Sequence, residues 1–124
     1  MNWKEKRQKM DKALKKIVLP ELRKQGFRGS YPHFRRRKIK KINLFSFQFS
    51  QWGGRFYINI ANSPIDGITT ASGHHIDPKK IKADQCLNWG RLNNFFDFEK
   101  DNYEETADKV LAYFGKAEKY WNDN

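Results

Sequence analysis

The alternation of apolar and polar residues is strongest in the middle of the chain, and it predicts β-structure there. In the segment Leu44-Phe45-Ser46-Phe47-Gln48-Phe49-Ser50 the rings fall on every second residue, which places them on one side of a strand. Gly53-Gly54 then predicts a two-residue hairpin turn before a second strand, Arg55 to Ile60. This turn aligns residues of like character and predicts three cross-strand pairs: Phe49 with Ile58, Phe47 with Ile60, and Gln48 with Asn59.

A third strand precedes these two and carries the basic run from Arg35 to Lys41. A tight turn at Lys40-Lys41 predicts the pairs Phe34 with Phe47, Arg35 with Ser46, and His33 with Gln48. One face of the resulting sheet is aromatic and requires helices to cover it. The opposite face, called the polar face below, carries seven side chains: His33, Arg35, Arg37, Ser46, Gln48, Tyr57 and Asn59.

Helical periodicity at the two ends of the chain supplies the covering elements. Apolar residues recur at helical spacing from Trp3 to Val18 with Lys and Arg between them, and Pro20 predicts a kink or a restart of this helix. A second apolar stripe runs from Tyr103 to Trp121 and predicts one C-terminal helix. The sequence therefore predicts an α+β fold, a single domain over residues 1–124, with a central antiparallel sheet packed on one face by an N-terminal and a C-terminal helix.

The connection between the sheet and the C-terminal helix is less regular. Residues 62–76 are rich in Gly, Ser, Thr, Asp and Asn, which predicts a loop with one short strand at most. Asp77-Pro78 is typical of a helix start, and it predicts a short helix toward Gln85.

Net charge changes the picture because it is unevenly distributed. The chain carries +11, and residues 1–41 hold 16 Lys and Arg against three acidic residues, a net +13. Such polarity indicates a basic surface for an acidic protein, an anionic lipid or a nucleic acid, although charge that merely keeps the domain soluble explains it equally well.

The cellular location is predicted from two kinds of segment that the sequence does not show. The start is charged without an apolar signal-peptide region, and no segment approaches the roughly 20 apolar residues that span a bilayer. The lone Cys86 has no partner for an intrachain disulfide. We therefore expect a cytoplasmic protein that does not enter a membrane, and the sequence leaves its oligomeric state open.

Catalytic and metal-binding patterns are weak. His74-His75 are adjacent, so they point apart in an extended loop, and no His, Cys or Asp pair has chelating spacing. Cys86 is explained by packing, and the aspartates Asp66, Asp77, Asp84 and Asp97 by turns or caps. We nominate no catalytic residue, no metal ligand and no cofactor, although an enzyme stays an open alternative.

The polar face is the candidate site, because its hydrogen-bonding capacity exceeds what a solvated strand requires. The predicted binding residues are His33, Arg35, Arg37, Gln48, Tyr57 and Asn59. The leading hypothesis is a non-enzymatic binding module for an acidic partner. The first alternative is nucleic-acid binding through the basic run. The second is an immunity-type or accessory protein that binds another protein, against which the positive charge argues when the target is a basic toxin.

Several of these segments also resemble a known family. They are Leu22-Arg23-Lys24-Gln25-Gly26-Phe27, Phe34-Arg35, Ile42 to Ser50 with Gln48 and Gln51, Gly54-Arg55-Phe56-Tyr57-Ile58-Asn59-Ile60, and Cys86 through Arg91-Leu92. Together they resemble a family of small bacterial proteins known as domain of unknown function 4304. The resemblance implies an α+β fold with a central antiparallel sheet, and it implies no established activity.

Overall fold

The computed structural model describes residues 2–124 and places three α-helices against one face of an antiparallel sheet. The elements in chain order are α1 Trp3–Lys24, β1 Arg28–Ser30, β2 His33–Arg37, β3 Lys41–Phe49, β4 Arg55–Pro64, β5 Ile68–Thr69, β6 His75–Ile76, a 3-10 turn Ala83–Gln85, β7 Gly90–Arg91, β8 Phe96–Asp97, α2 Tyr103–Ala112 and α3 Phe114–Asp123. The predicted α+β class is confirmed. No helix in residues 2–124 has the length and apolar character needed to cross a membrane.

The N-terminal helix α1 is a single helix from Trp3 to Lys24. Asn2 Oδ1 accepts a hydrogen bond of 2.9 Å from the Glu5 N–H and caps its start. The predicted restart at Pro20 is wrong, because α1 continues as one helix through Pro20 to Lys24. Pro20 is exposed, whereas Val18 and Leu22 on either side of it are buried in the core, and this packing holds the helix together across the missing N–H.

The main sheet has the order β1-β2-β3-β4-β7, with β8 also paired to β4. Both predicted registers are wrong by two residues, since the observed pairs include Phe47 with Ile58, Gln48 with Tyr57, Ser46 with Asn59, Phe34 with Phe45, and His33 with Ser46. The tips of both hairpins lie one residue earlier than predicted. Ser50 N–H bonds to Arg55 O at 3.0 Å, and Lys38 N–H bonds to Lys41 O at 2.8 Å. A shift of two residues keeps every side chain on its predicted face.

The aromatic face of the sheet forms the main core. Phe45, Phe47, Phe56 and Ile58 are at most 3% exposed and pack beneath residues of all three α-helices. Their rings meet edge-on or tilted, for example Phe45 and Phe47 with centroids 5.2 Å apart. The predicted inward orientation of the phenylalanines is therefore confirmed.

The C-terminal stripe forms two helices rather than the predicted one. The break lies at Tyr113, whose N–H bonds to Val110 O and whose carbonyl accepts from Ala117 N–H. Tyr113 packs edge-on against Phe96, and Phe114 packs edge-on against Phe45. Since these two contacts lie on different strands, the break lets neighbouring rings reach both of them.

A second, smaller core covers one end of the polar face. Ile42, Leu44 and Ala61 of the sheet pack there against Ile81, Ala83 and Cys86. The segment over them differs from prediction. The strand β4 extends to Pro64, and β5 pairs with β6 in a small hairpin. The predicted helix at Asp77-Pro78 is wrong, because Asp77 Oδ1 accepts from Lys79 N–H in a tight turn and only the 3-10 turn follows.

Candidate partner-binding site on the polar face

Beyond the second core, the polar face forms a row of polar residues across four strands, of which Ser46 and Asn59 are buried. His33 of β2 lies opposite Ser46 of β3, which lies opposite Asn59 of β4, which in turn lies opposite Arg91 of β7. Strands in a sheet are about 4.8 Å apart, so this row is roughly 15 Å long. Gln48 joins it from the next position along β3, because its Oε1 accepts a hydrogen bond of 2.8 Å from Asn59 Nδ2.

Arg91 is the residue of this site that the sequence pattern did not nominate. Its guanidinium carbon lies 3.9 Å from the ring centroid of Tyr57 and 5.8 Å from that of Trp89. Tyr57 lies beside Asn59 on the same face of β4, so the short strand β7 places a cation directly over the predicted site. The only signal in the sequence is that Arg91 belongs to a segment that resembles the family.

Arg35 lies at the border between the polar row and the second core. Its Nη2 donates a hydrogen bond of 3.0 Å to Ile81 O, which fixes the guanidinium against the covering segment. Its Nε is buried and has no hydrogen-bond partner among residues 2–124. Burial lowers the pKa of Arg35 from its usual value, and the group nevertheless stays a cation at neutral pH.

Asn59 is the central residue of the row and is only 2% exposed. Its Nδ2 is bonded to Gln48, whereas its Oδ1 is buried and accepts no hydrogen bond from the described part of the chain. A buried polar atom without a partner costs about 1–3 kcal/mol. The face therefore holds two buried side-chain atoms, Arg35 Nε and Asn59 Oδ1, that have no hydrogen-bond partner within residues 2–124.

His33 closes the row on the β2 side. Its Nδ1 lies 2.9 Å from Ser46 Oγ, and Ser46 is only 4% exposed. Burial lowers the pKa of His33, and the nearby Lys82 lowers it further, while Asp84 opposes the shift and Arg35 adds to it. The imidazole is therefore neutral at pH 7.

Arg37 lies on the polar face but far from the other predicted binding residues. It lies opposite Ile42, six residues along β3 from Gln48, which corresponds to about 20 Å of strand. The structure thus brings His33, Arg35, Gln48, Tyr57 and Asn59 together and leaves Arg37 at the far end of the sheet.

The three arginines of the polar face form no ion pair with an acidic side chain of residues 2–124. Four ion pairs are present in the described residues: Lys6 with Asp101, Arg7 with Asp11, Lys16 with Glu104, and Arg36 with Glu118. Three of them involve α1, and the fourth lies on the helix-covered side. Arg35, Arg37 and Arg91 enter none of them, and this leaves three guanidinium groups available on the polar face.

The side chains near the site that could react or bind a metal are accounted for by packing. Cys86 lies in the second core, and its burial, with Asp84 nearby, raises the pKa of the thiol to about 11. Within residues 2–124, no three His, Cys, Asp or Glu side chains meet in an arrangement that could hold a metal ion. What this face offers chemically is hydrogen bonding and positive charge.

Comparison with curated proteins and with solved structures yields no match. A family model described as Domain of unknown function (DUF4304) matches residues 17–123, from the second half of α1 through α3. This match covers the whole main sheet and the polar row, and the chain belongs to that family.

Proposed function

We propose that the protein is a binding module whose polar face engages an acidic protein partner. The observation that carries the proposal is that Arg35 and Arg91 flank a row of buried polar residues and form no ion pair with the described residues. Most other Lys and Arg side chains are also outside the four ion pairs. Arg35 and Arg91 differ from them because each guanidinium is held beside the row, by Ile81 O and by the Tyr57 ring, in a position to meet an external anion.

The guanidinium groups of the polar face fit a polypeptide with carboxylate side chains. A carboxylate accepts hydrogen bonds from guanidinium donors, and such charge-assisted bonds are about twice as strong as neutral ones. Asn59 Oδ1 is buried, so the contact with a carboxylate is proposed to rest on the guanidinium groups of Arg35 and Arg91.

The face, rather than the edge, of the sheet is the proposed contact. The edge strand β1 is only three residues long. Arg23 Nη2 donates to Gly29 O of β1 at 2.8 Å, and Arg23 Nη1 donates at 3.4 Å to Phe27 O, just before the strand. These bonds occupy groups that an added strand would need.

An acidic protein fits this face better than a nucleic acid does. Single-stranded nucleic acids bind through exposed aromatic rings on which bases stack. The rings at the polar row are already engaged within the fold. The Arg91 guanidinium carbon lies 3.9 Å from the centroid of Tyr57 and 5.8 Å from that of Trp89, and His33 Nδ1 lies 2.9 Å from Ser46 Oγ.

The proposal is tested by binding of a fluorescein-labelled decaglutamate peptide, followed by fluorescence anisotropy. The variant Arg35→Ala/Arg91→Ala should bind at least about tenfold more weakly than the wild type, since two charge-assisted contacts are lost. The matched control is Lys12→Ala/Lys24→Ala, which removes the same charge from exposed positions of α1. Equal weakening by the two double variants would show that net charge alone drives binding and would contradict the proposal.

A labelled oligouridine of similar length serves as the second probe in the same assay. If it binds more tightly than the peptide at physiological salt and loses affinity in Arg35→Ala/Arg91→Ala, the face is a nucleic-acid site and the acidic-protein proposal is wrong. Thermal unfolding of all variants, followed by circular dichroism, establishes that the fold survives the substitutions.

A further inference from the structure

A cavity of about 650 Å³ lies on the other side of the molecule, between the segment 93–102 and α2. None of the polar-face residues lines it. Its size falls in the range of small-molecule sites, which is roughly 300–1,000 Å³. The small side chain of Ala112 on α2 leaves the space open.

Aromatic rings form part of the wall. Phe95 is 36% exposed, and Arg55 covers one face of its ring with the guanidinium carbon 4.0 Å from the centroid. Tyr113 is half-buried and packs edge-on against Phe96 at 5.5 Å. A planar ligand can therefore lie against ring surfaces that are fixed by their own neighbours.

Neutral polar groups form a second part of the wall. The Asp97 carbonyl accepts hydrogen bonds from Thr106 Oγ1 at 3.0 Å and from Asn102 Nδ2 at 3.3 Å, which ties the segment to α2. Asn102 Oδ1 is buried and has no hydrogen-bond partner in residues 2–124. Asn93 contributes another amide. Asn93 Nδ2 donates to Phe95 O at 3.1 Å, so the amide oxygen of Asn93 is the group of this wall suited to the polar edge of a heterocycle.

Charges of both signs complete the lining. Lys100 and Lys109 are exposed and form no ion pair with described residues, and the same holds for Asp97 and Glu99. A purely anionic ligand would meet the two carboxylates, and an apolar ligand would leave all four charges without partners. The lining therefore favours a ligand with an anionic end and separate hydroxyl groups.

We propose that this cavity binds a mononucleotide. The base would lie against Phe95 or Tyr113, the ribose hydroxyls would donate to Asp97 or Glu99, and the phosphate would contact Lys100 and Lys109. Each class of lining residue then has a matching group on one ligand. This site is independent of the polar face and of its proposed partner.

Isothermal titration with the mononucleotides AMP, GMP, CMP and UMP, and with the matching nucleosides, tests the proposal. At least one nucleotide should bind with a Kd below about 1 mM. Ala112→Trp, which fills the cavity, should weaken that binding at least about tenfold. Lys109→Gln should weaken nucleotide binding about fivefold and change nucleoside binding less than about twofold.

Lys119→Gln is the matched control for charge, since Lys119 is exposed on α3 and lies outside the lining. It should bind the nucleotide as the wild type does. Absence of binding for all four nucleotides up to about 5 mM, or wild-type affinity in Ala112→Trp, would overturn the proposal. If Ala112→Trp does not fold, equal weakening by Lys109→Gln and Lys119→Gln would overturn it instead.

Discussion

Arg35 and Arg36 are neighbours in β2, but their side chains lie on opposite faces of the sheet and have different roles. Arg36 is 7% exposed on the helix side, where its fork meets Glu118 at 2.6 and 2.9 Å and its Nε donates to Asn43 Oδ1 at 2.9 Å. Its guanidinium also lies over the rings of Phe27 and Trp121, 4.7 and 5.1 Å from their centroids. Arg35 points to the other face, and its Nε has no hydrogen-bond partner within residues 2–124. The alternation of a strand thus decides which arginine stabilises the fold and which one can bind a partner.

The buried pair predicts an asymmetric response to substitution. Glu118→Ala leaves the Arg36 charge in the core and should lower the free energy of unfolding by about 2–3 kcal/mol, somewhat less than for a fully buried pair because the Glu118 side chain is 36% exposed. Arg36→Met/Glu118→Met removes both charges and should restore most of the loss. Urea unfolding followed by tryptophan fluorescence measures both changes.

The exposed pair of Lys16 and Glu104, with side chains 67% and 68% exposed, supplies the control. Glu104→Ala should change the free energy of unfolding by less than about 0.5 kcal/mol. Similar losses for Glu118→Ala and Glu104→Ala would mean that Arg36 is not held as described.

His33 predicts a pH dependence of stability. Because its pKa is lowered in the folded protein, the unfolded chain binds the proton more readily. The free energy of unfolding should therefore fall as the pH drops below the unfolded histidine value of about 6.5, and this component should be absent in His33→Gln. Urea unfolding at pH 7 and at pH 5 measures it, with His74→Gln, an exposed loop position, as control. An equal pH slope for wild type and His33→Gln would contradict the account.

At the scale of elements, the sequence pattern predicted which face of the sheet a side chain lies on better than it predicted which residues pair across two strands. Phe45, Phe47 and Phe49 lie on the helix side as expected, since the period of two in a strand is a local property. The register depends on turn geometry instead, and four residues, from Gln51 to Gly54, separate Ser50 from Arg55 where a two-residue turn was predicted. The predicted restart of α1 at Pro20 failed for a similar reason, because tertiary packing outweighed a local preference.

The β3–β4 turn also depends on the start of α1. Gly53 has a φ of +85°, and a Cβ on it would lie 2.3 Å from the ring of Trp3. Gly73 has nearly the same φ, +86°, with no atom within 4 Å of such a Cβ. The two glycines therefore separate the cost of the backbone conformation from the cost of the contact.

Gly73→Ala should lower the free energy of unfolding by about 1–2 kcal/mol, the cost of a left-handed conformation for a residue with a side chain. Gly53→Ala should lower it by about 1–3 kcal/mol more, because Trp3 has to move away. Thermal or urea unfolding compares the two variants directly. Equal losses would show that Trp3 does not pack on this turn.

At the scale of the whole molecule, the candidate site combines residues that the sequence pattern could identify with others that it could not. The alternation of side chains along a strand predicted one shared face for His33, Gln48, Tyr57 and Asn59, and the structure has them on one face. Arg91 lies in the two-residue strand β7, far along the chain from β4. Local periodicity cannot predict that β7 pairs with β4. The sequence also contains a signal for the second core. In Ile42-Asn43-Leu44-Phe45 apolar residues occupy both parities, which is typical of a strand buried on both faces.

The distribution of charge gives the polar face its proposed role. The α1 helix holds many of the basic residues, and three of them form ion pairs with Asp11, Asp101 and Glu104. The polar face has fewer cations, but they are fixed in place, Arg35 by Ile81 and Arg91 by the ring of Tyr57. Cations held in one geometry lose little conformational freedom on binding, and this favours a specific contact over a diffuse one.

The most direct test of this role is a ¹⁵N NMR titration of the wild-type protein with the decaglutamate peptide, which reports where the acidic ligand sits. The account predicts that the largest shifts of backbone and arginine side-chain signals occur at His33, Arg35, Gln48, Asn59 and Arg91. Shifts of similar size along the lysines of α1, with the polar row unchanged, would contradict it.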